Sequence, residues 1–221
     1  MATGNFIHST GYNKLGNQVT YVTYGVQRWR RYVEKPKDPK TAAQQLMRAK
    51  MAMVSTLAAR FRPAIMLGLY KAGYDKKRSA YAEFNALNYS HISGLTPETL
   101  EVSLPALEVS KGNVPVVMVG GSLNVSTPNK VEVTITDGLI NNTGADASDE
   151  VYAFAYVPAA RSGKLSSGPI HRTDAKVAIE NLPASWSGLD VYVYLFVVGG
   201  NNNIHAGYSS NTVYCGSSEL A

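Results

Sequence analysis

The chain has 221 residues, 45% of them hydrophobic and 17% charged, and a net charge of +5. That length suits one large domain or two small ones, with a core that needs no covalent staples. No apolar run reaches the ~18 residues that span a bilayer, the first residues lack the basic-then-apolar pattern of a secretory signal, and the lone Cys215 excludes an internal disulfide.

These features imply a protein of the cytoplasm or of a virion assembled there. The charge is unevenly placed. Residues 1–100 carry 15 Lys+Arg and 5 Asp+Glu, whereas residues 101–221 carry 6 and 11. Opposite signs in the two halves imply two units with different neighbours.

The first predicted element is a β-hairpin. Tyr12–Gly16 reads as a turn, with Gly16 and Asn17 suited to positive φ. Gln18–Tyr24 and Val26–Val33 are rich in β-branched and aromatic residues, and Gly25 bends the chain between them. Gln27, Trp29, Arg31 and Val33 share one face of the second strand, and Arg28, Arg30 and Tyr32 share the other. A hairpin this small is not stable alone and must pack on the helices or on another chain.

Lys35–Pro39 is a stiff link into the best-marked helix. Asp38 can cap that helix with Pro39 at its first position, or Thr41 can cap it instead. Met47, Met51, Val54, Ala58 and Phe61 recur at steps of four and three, which draws one apolar stripe. Arg48, Lys50 and Arg60 lie off its centre, and Pro63 ends the helix near Arg62. Ala64–Lys71 reads as a short helix stopped by Gly73, and Ser79–Asn88 as a third helix.

From about Leu104 the texture changes to short Val-, Ile- and Tyr-rich segments between turn clusters. Strands are expected at Leu107–Ser110, Val116–Val119, Lys130–Thr136, Glu150–Pro158, Lys176–Glu180, Asp190–Val198 and His205–Tyr214. Seven short strands at this spacing describe an antiparallel Ig-like β-sandwich. The fold class is therefore α+β, with a basic hairpin-and-helix domain over residues 1–100 and a sandwich domain over 101–221. The sandwich has its own alternating core, so residues 104–221 are expected to fold alone.

Two resemblances accompany this reading. Ile179–Pro183 followed by Leu189–Tyr194, and Tyr208–Val213, resemble the turn, sixth strand and closing strand of the fibronectin type III and immunoglobulin-like sandwich, which would make Tyr192 its corner tyrosine. Pro39-Lys40-Thr41, Gln44-Gln45 and Arg48 resemble the helix motif of an uncharacterised Bacteroidota protein family that is expected in their phages as well, and Ser79–Asn85 resembles its aromatic helix. Neither resemblance implies an activity.

No nucleotide-binding or hydrolase motif occurs, no carboxylate pair stands out, and His8, His91, His171 and His205 lack metal-ligand spacing. The expectation is a non-enzymatic protein without a cofactor or metal. Its candidate interface comprises Tyr24, Arg28, Trp29, Arg30, Arg31, Tyr32, Gln44, Gln45 and Arg48. Arginines interleaved with aromatics can also pair with phosphates and stack bases, but no known nucleic-acid module accompanies the run, so protein contacts are the preferred reading. A structural protein of a bacteriophage virion (capsid, connector or tail) is the most concrete form, built as a homo-oligomer or multi-protein assembly without a membrane. A surface or adhesion-type binding module and a nucleic-acid-binding accessory protein are the alternatives.

Overall fold

The computed structural model describes residues 13–15, 18–23, 26–32, 38–120, 123–138 and 143–221. Gly16, Asn17, Gly25 and the Lys35–Lys37 part of the expected link lie outside these residues. The chain forms two compact units, residues 1–41 and residues 42–221.

The first unit holds a three-stranded antiparallel sheet of β1 (Asn13–Leu15), β2 (Gln18–Thr23) and β3 (Val26–Arg31), in that order. Two of its strands were legible, but Asn13–Leu15, expected as turn, pairs with β2 through Asn13↔Thr20 and Leu15↔Gln18.

The second unit begins with four helices, α1 (Ala42–Arg60), α2 (Arg62–Gly68), α3 (Tyr70–Asp75) and α4 (Ala80–Asn88). Asp38 does not cap α1: its carboxylate accepts the Lys40 N–H at 3.2 Å, and Pro39 precedes the helix. The apolar stripe is buried only in its second half. Val54, Ala58 and Phe61 are covered, whereas Met47 and Met51 are 59% and 43% exposed. Val54→Asp is therefore expected to lower stability by several kcal/mol, because it buries an unpaired charge. Met51→Asp should stay within about 1 kcal/mol, and urea melts of the two variants check the contrast. The segment expected as one helix over Ala64–Lys71 divides at Leu69, and Gly73 lies inside α3 rather than ending it. Ser79 caps α4, its hydroxyl accepting the Ala82 N–H at 3.2 Å.

The short strands β4 (Ile92–Ser93) and β5 (Glu101–Val102) pair with each other, and the sandwich follows. Its strands are β6 (Met118–Val119), β7 (Val131–Asp137), β8 (Glu150–Val157), β9 (Ser162–Leu165), β10 (Ile170–His171), β11 (Lys176–Ile179), β12 (Asp190–Val198) and β13 (Val213–Glu219). One sheet runs β11-β7-β6. The other runs β10-β8-β12-β13, with β9 also on β8. The class is α+β, as expected.

Strands β8 and β12 organise the unit. Their aliphatic residues, Val151, Ala153, Ala155 and Val157 with Val191, Val193, Leu195 and Val197, face the β7–β11 sheet and fill the sandwich core. Their aromatic residues face the other way. Register pairs Tyr194 with Phe154 and Phe196 with Tyr152 across the strands. This aromatic face packs against Val54, Phe61, Ile65 and Phe84 of the helices. Both faces of the sheet are thus covered, and the compact units divide at residue 41 rather than near residue 100. The change of texture marks where helices give way to strands, and one core spans the change.

Four further differences have local causes. Leu107–Ser110 forms no strand because side chains take its backbone groups. Asn88 bonds both the N–H and C=O of Glu108, and the Thr212 hydroxyl accepts from Val109 and Ser110. The last strand is Val213–Glu219, since residues before it form turns and bridges; pairing skips Cys215 where Val193↔Gly216 passes to Tyr194↔Tyr214. The Arg161–Gly168 stretch, between the expected strands Glu150–Pro158 and Lys176–Glu180, contains β9, where a Cβ on Gly163 would lie 2.3 Å from the Phe154 ring. Tyr192 is not a corner tyrosine: its ring stacks 6.4 Å from Tyr214, and it is the Tyr194 hydroxyl that donates to a distant backbone oxygen, that of Leu104 at 2.8 Å.

One end of the sandwich is closed by a buried ion pair. Arg172 Nε donates to Asp149 at 2.7 Å, and the guanidinium also donates to the carbonyls of Pro115 and Gly138. The other Asp149 oxygen accepts from Gly200 N–H at 3.0 Å and Asn203 at 2.7 Å. Both charged side chains are fully buried. No helix among the described residues is long and apolar enough to cross a membrane.

Candidate functional site

Residues 1–41 carry 7 Lys+Arg and 2 Asp+Glu, while residues 42–221 carry 14 of each. The net positive charge of the chain therefore belongs to the first unit. Within it, β3 pairs on one side only, with β2, among the described residues. All six of its residues are exposed, and Trp29 is 62% exposed. Strand alternation puts Trp29 and Arg31 on one face, opposite Thr20 and Gln18, and Arg28 and Arg30 on the other, opposite Tyr21 and Val19. Gln18, Trp29, Arg30 and Arg31 line a shallow hollow. No carboxylate pairs with Arg28, Arg30 or Arg31 among the described residues.

The remaining predicted residues are distributed differently. Tyr24 lies outside the described residues. Tyr32 follows β3 and is half-buried. Gln44, Gln45 and Arg48 belong to the second unit, on the first turns of α1; Gln44 is half-buried and the other two are exposed. The structure thus gathers Arg28–Arg31 on one strand and assigns the helix residues to another unit.

The sequence reading missed a groove in the second unit. Met53, Leu57 and Arg60 share a face of α1 by their spacing. With Val102 and Leu104, and with Tyr156 and Arg161 from the β8–β9 region, they line an open groove of about 460 Å³. The Tyr156 side chain is 5% exposed, its ring lies 4.7 Å from that of Phe61, and its hydroxyl has no hydrogen-bond partner among the described residues. Burial pushes the Tyr156 phenol up, while the nearby guanidiniums of Arg60 and Arg161 pull it down. The only signal in the sequence was the spacing of Met53, Leu57 and Arg60, which any amphipathic helix shows.

Among the described residues, no group of three or more His, Cys, Asp or Glu side chains could hold a metal. His8 lies outside them.

The model of a family described as of unknown function, DUF6266, matches residues 8–216. The chain belongs to the DUF6266 family. No curated protein matches this DUF6266 sequence. Among solved structures, the fn3 domain of human collagen alpha-1(XX) chain is similar at 18% identity and a TM-score of 0.34, covering 51% of this chain and 89% of that one.

Proposed function

We propose that this protein is a non-enzymatic assembly component whose N-terminal sheet attaches each copy to a neighbouring protein chain. The observation that carries the reading is β3: an edge strand among the described residues, exposed along its length, with Trp29 set among three arginines. An unpaired edge is a template for another strand, and aromatic and Arg residues dominate interface energetics.

The charges also say which pairing is disfavoured. Two copies of β3 paired antiparallel about a two-fold axis keep their faces, so opposed residues have the same parity. The most extensive registers then set Arg28 against Arg28 or Arg28 against Arg30, which like-charge repulsion opposes. The contact is therefore heterologous, with β3 meeting a different, carboxylate-bearing surface. The acidic region 101–221 of a second copy supplies one such surface. Heterologous contacts propagate into rings or filaments. A bacteriophage capsid, connector or tail protein is the concrete form of this reading, in keeping with the likeness of Pro39–Arg48 to the helix motif of a Bacteroidota family expected also in phages.

Deleting residues 1–41 is expected to leave residues 42–221 folded and to abolish assembly in sedimentation velocity. Trp29→Ala should weaken association by about 2 kcal/mol or more, and Lys14→Ala by far less. High salt should weaken the full chain as the arginines are screened. Assembly of the deletion variant at the level of the full chain would sink the proposal. A second reading rests on Arg28, Arg30 and Arg31, which have no carboxylate partner among the described residues. A monomer that retains single-stranded DNA with a steep salt slope would put nucleic-acid binding in its place.

A further inference from the structure

The groove of the second unit plays no part in the assembly reading, and its lining has a definite chemistry. Met53, Leu57, Val102 and Leu104 supply aliphatic surface. Four polar side chains join them: Tyr156, Arg60 at the end of α1, Arg161 in the turn after β8, and Thr56, whose hydroxyl donates to the Ala52 carbonyl at 2.8 Å. The turn fixes Arg161, whose N–H donates to the Pro158 carbonyl at 3.0 Å. Neither guanidinium pairs with a carboxylate among the described residues. The Tyr156 hydroxyl belongs to a nearly buried side chain without a protein partner there. The hydroxyl itself opens onto the groove, and the guanidiniums of Arg60 and Arg161 act on it, so this donor beside two cations suits an acceptor that carries negative charge. An arginine fork matches a carboxylate in shape as well as charge. The volume of about 460 Å³ falls in the size range of small-molecule sites, roughly 300–1,000 Å³.

We infer that the groove binds a small amphipathic carboxylate, an acyl or aryl acid. Its apolar part lies over Met53, Leu57, Val102 and Leu104, and its carboxylate is held by Arg60, Arg161 and the Tyr156 hydroxyl. The uncharged alcohol of the same chain makes the apolar contacts and loses the charged ones.

The test titrates the full chain with decanoate below its micellar range, following the Met53 methyl by NMR and the heat by calorimetry. Saturable binding with a shift of the Met53 methyl is expected. Decanol should bind about tenfold more weakly, a ratio set by charge-assisted hydrogen bonds. Arg60→Gln and Arg161→Gln should each weaken decanoate by about tenfold while leaving decanol unchanged. Tyr156→Phe keeps the ring on Phe61 and should weaken decanoate several-fold. Equal affinity for the acid and the alcohol, an unmoved Met53 methyl, or arginine variants that bind decanoate like the parent chain would each overturn the assignment. A peptide ending in leucine that binds tightly where decanoate does not would likewise overturn it in favour of a chain terminus.

Discussion

Asp149→Ala should destabilise residues 42–221 by about 3–5 kcal/mol, the cost of leaving one member of a buried ion pair without its partner. The side chain is fully buried and receives Arg172, Asn203 and the Gly200 N–H. Removing it strands a guanidinium that also fixes the carbonyls of Pro115 and Gly138. Four separate stretches of chain lose a common anchor at once. Urea unfolding of the full chain and of the variant measures the loss, and a change below about 1 kcal/mol would show that the network is dispensable. Acid adds a second signature. Burial alone would raise the Asp149 carboxyl, but hydrogen bonds from the Asp146 backbone, Asn203, Arg172 and the Gly200 backbone hold it below its ordinary value. Its contribution is therefore complete above the unfolded value of about 3.9 and fades as pH falls through the lower native one. Asp149→Asn should flatten that acid limb of the stability curve.

Phe61→Ala should cost about 3–5 kcal/mol, the range for a large aromatic removed from a closed core. Phe61 is fully buried, with ring centroids 4.9 Å from Phe154, 4.7 Å from Tyr156, 5.6 Å from Tyr194 and 5.9 Å from Phe84. It thus touches the helix α4 and both central strands. The same geometry reverses the expectation that residues 104–221 fold alone. That fragment would bare Phe154, Tyr156, Tyr194 and Phe196, all buried in the chain, and a contiguous apolar patch of that kind drives association. Residues 42–221 should melt in one cooperative transition, whereas 104–221 should precipitate or melt without one. A soluble, cooperative 104–221 fragment would mean that the helices only decorate the sandwich.

The strand Asp190–Val198 was fully legible in the sequence, because aliphatic and aromatic residues alternate from Val191 to Val197. Its two coverings were not. An alternation of aliphatic and aromatic residues shows that a strand has two apolar faces, yet it does not name the neighbour of either. The stripe on α1 shows the converse limit. Its period is correct through Phe61, but burial begins only at Val54, and no local pattern marks where a partner surface starts. Arg28–Arg31 stood out because cations next to an aromatic are conspicuous on a short strand. The groove did not, since Met53, Leu104 and Arg161 are far apart in the chain and each is ordinary alone. Asp149 and Arg172 were equally silent: burial turns common surface residues into an anchor, and burial is a property of the whole fold.

The aromatic side of β8 and β12 has a consequence for how the chain emerges from the ribosome. Translation delivers α1 to α4 before either strand exists, and units of a chain begin to order during synthesis. The tyrosines and phenylalanines of Glu150–Val157 and Asp190–Val198 thus enter a cell that already holds their cover. Reversing that order, by permuting the chain so that residues 104–221 are made first, would release the stickiest surface of the protein before anything could shield it.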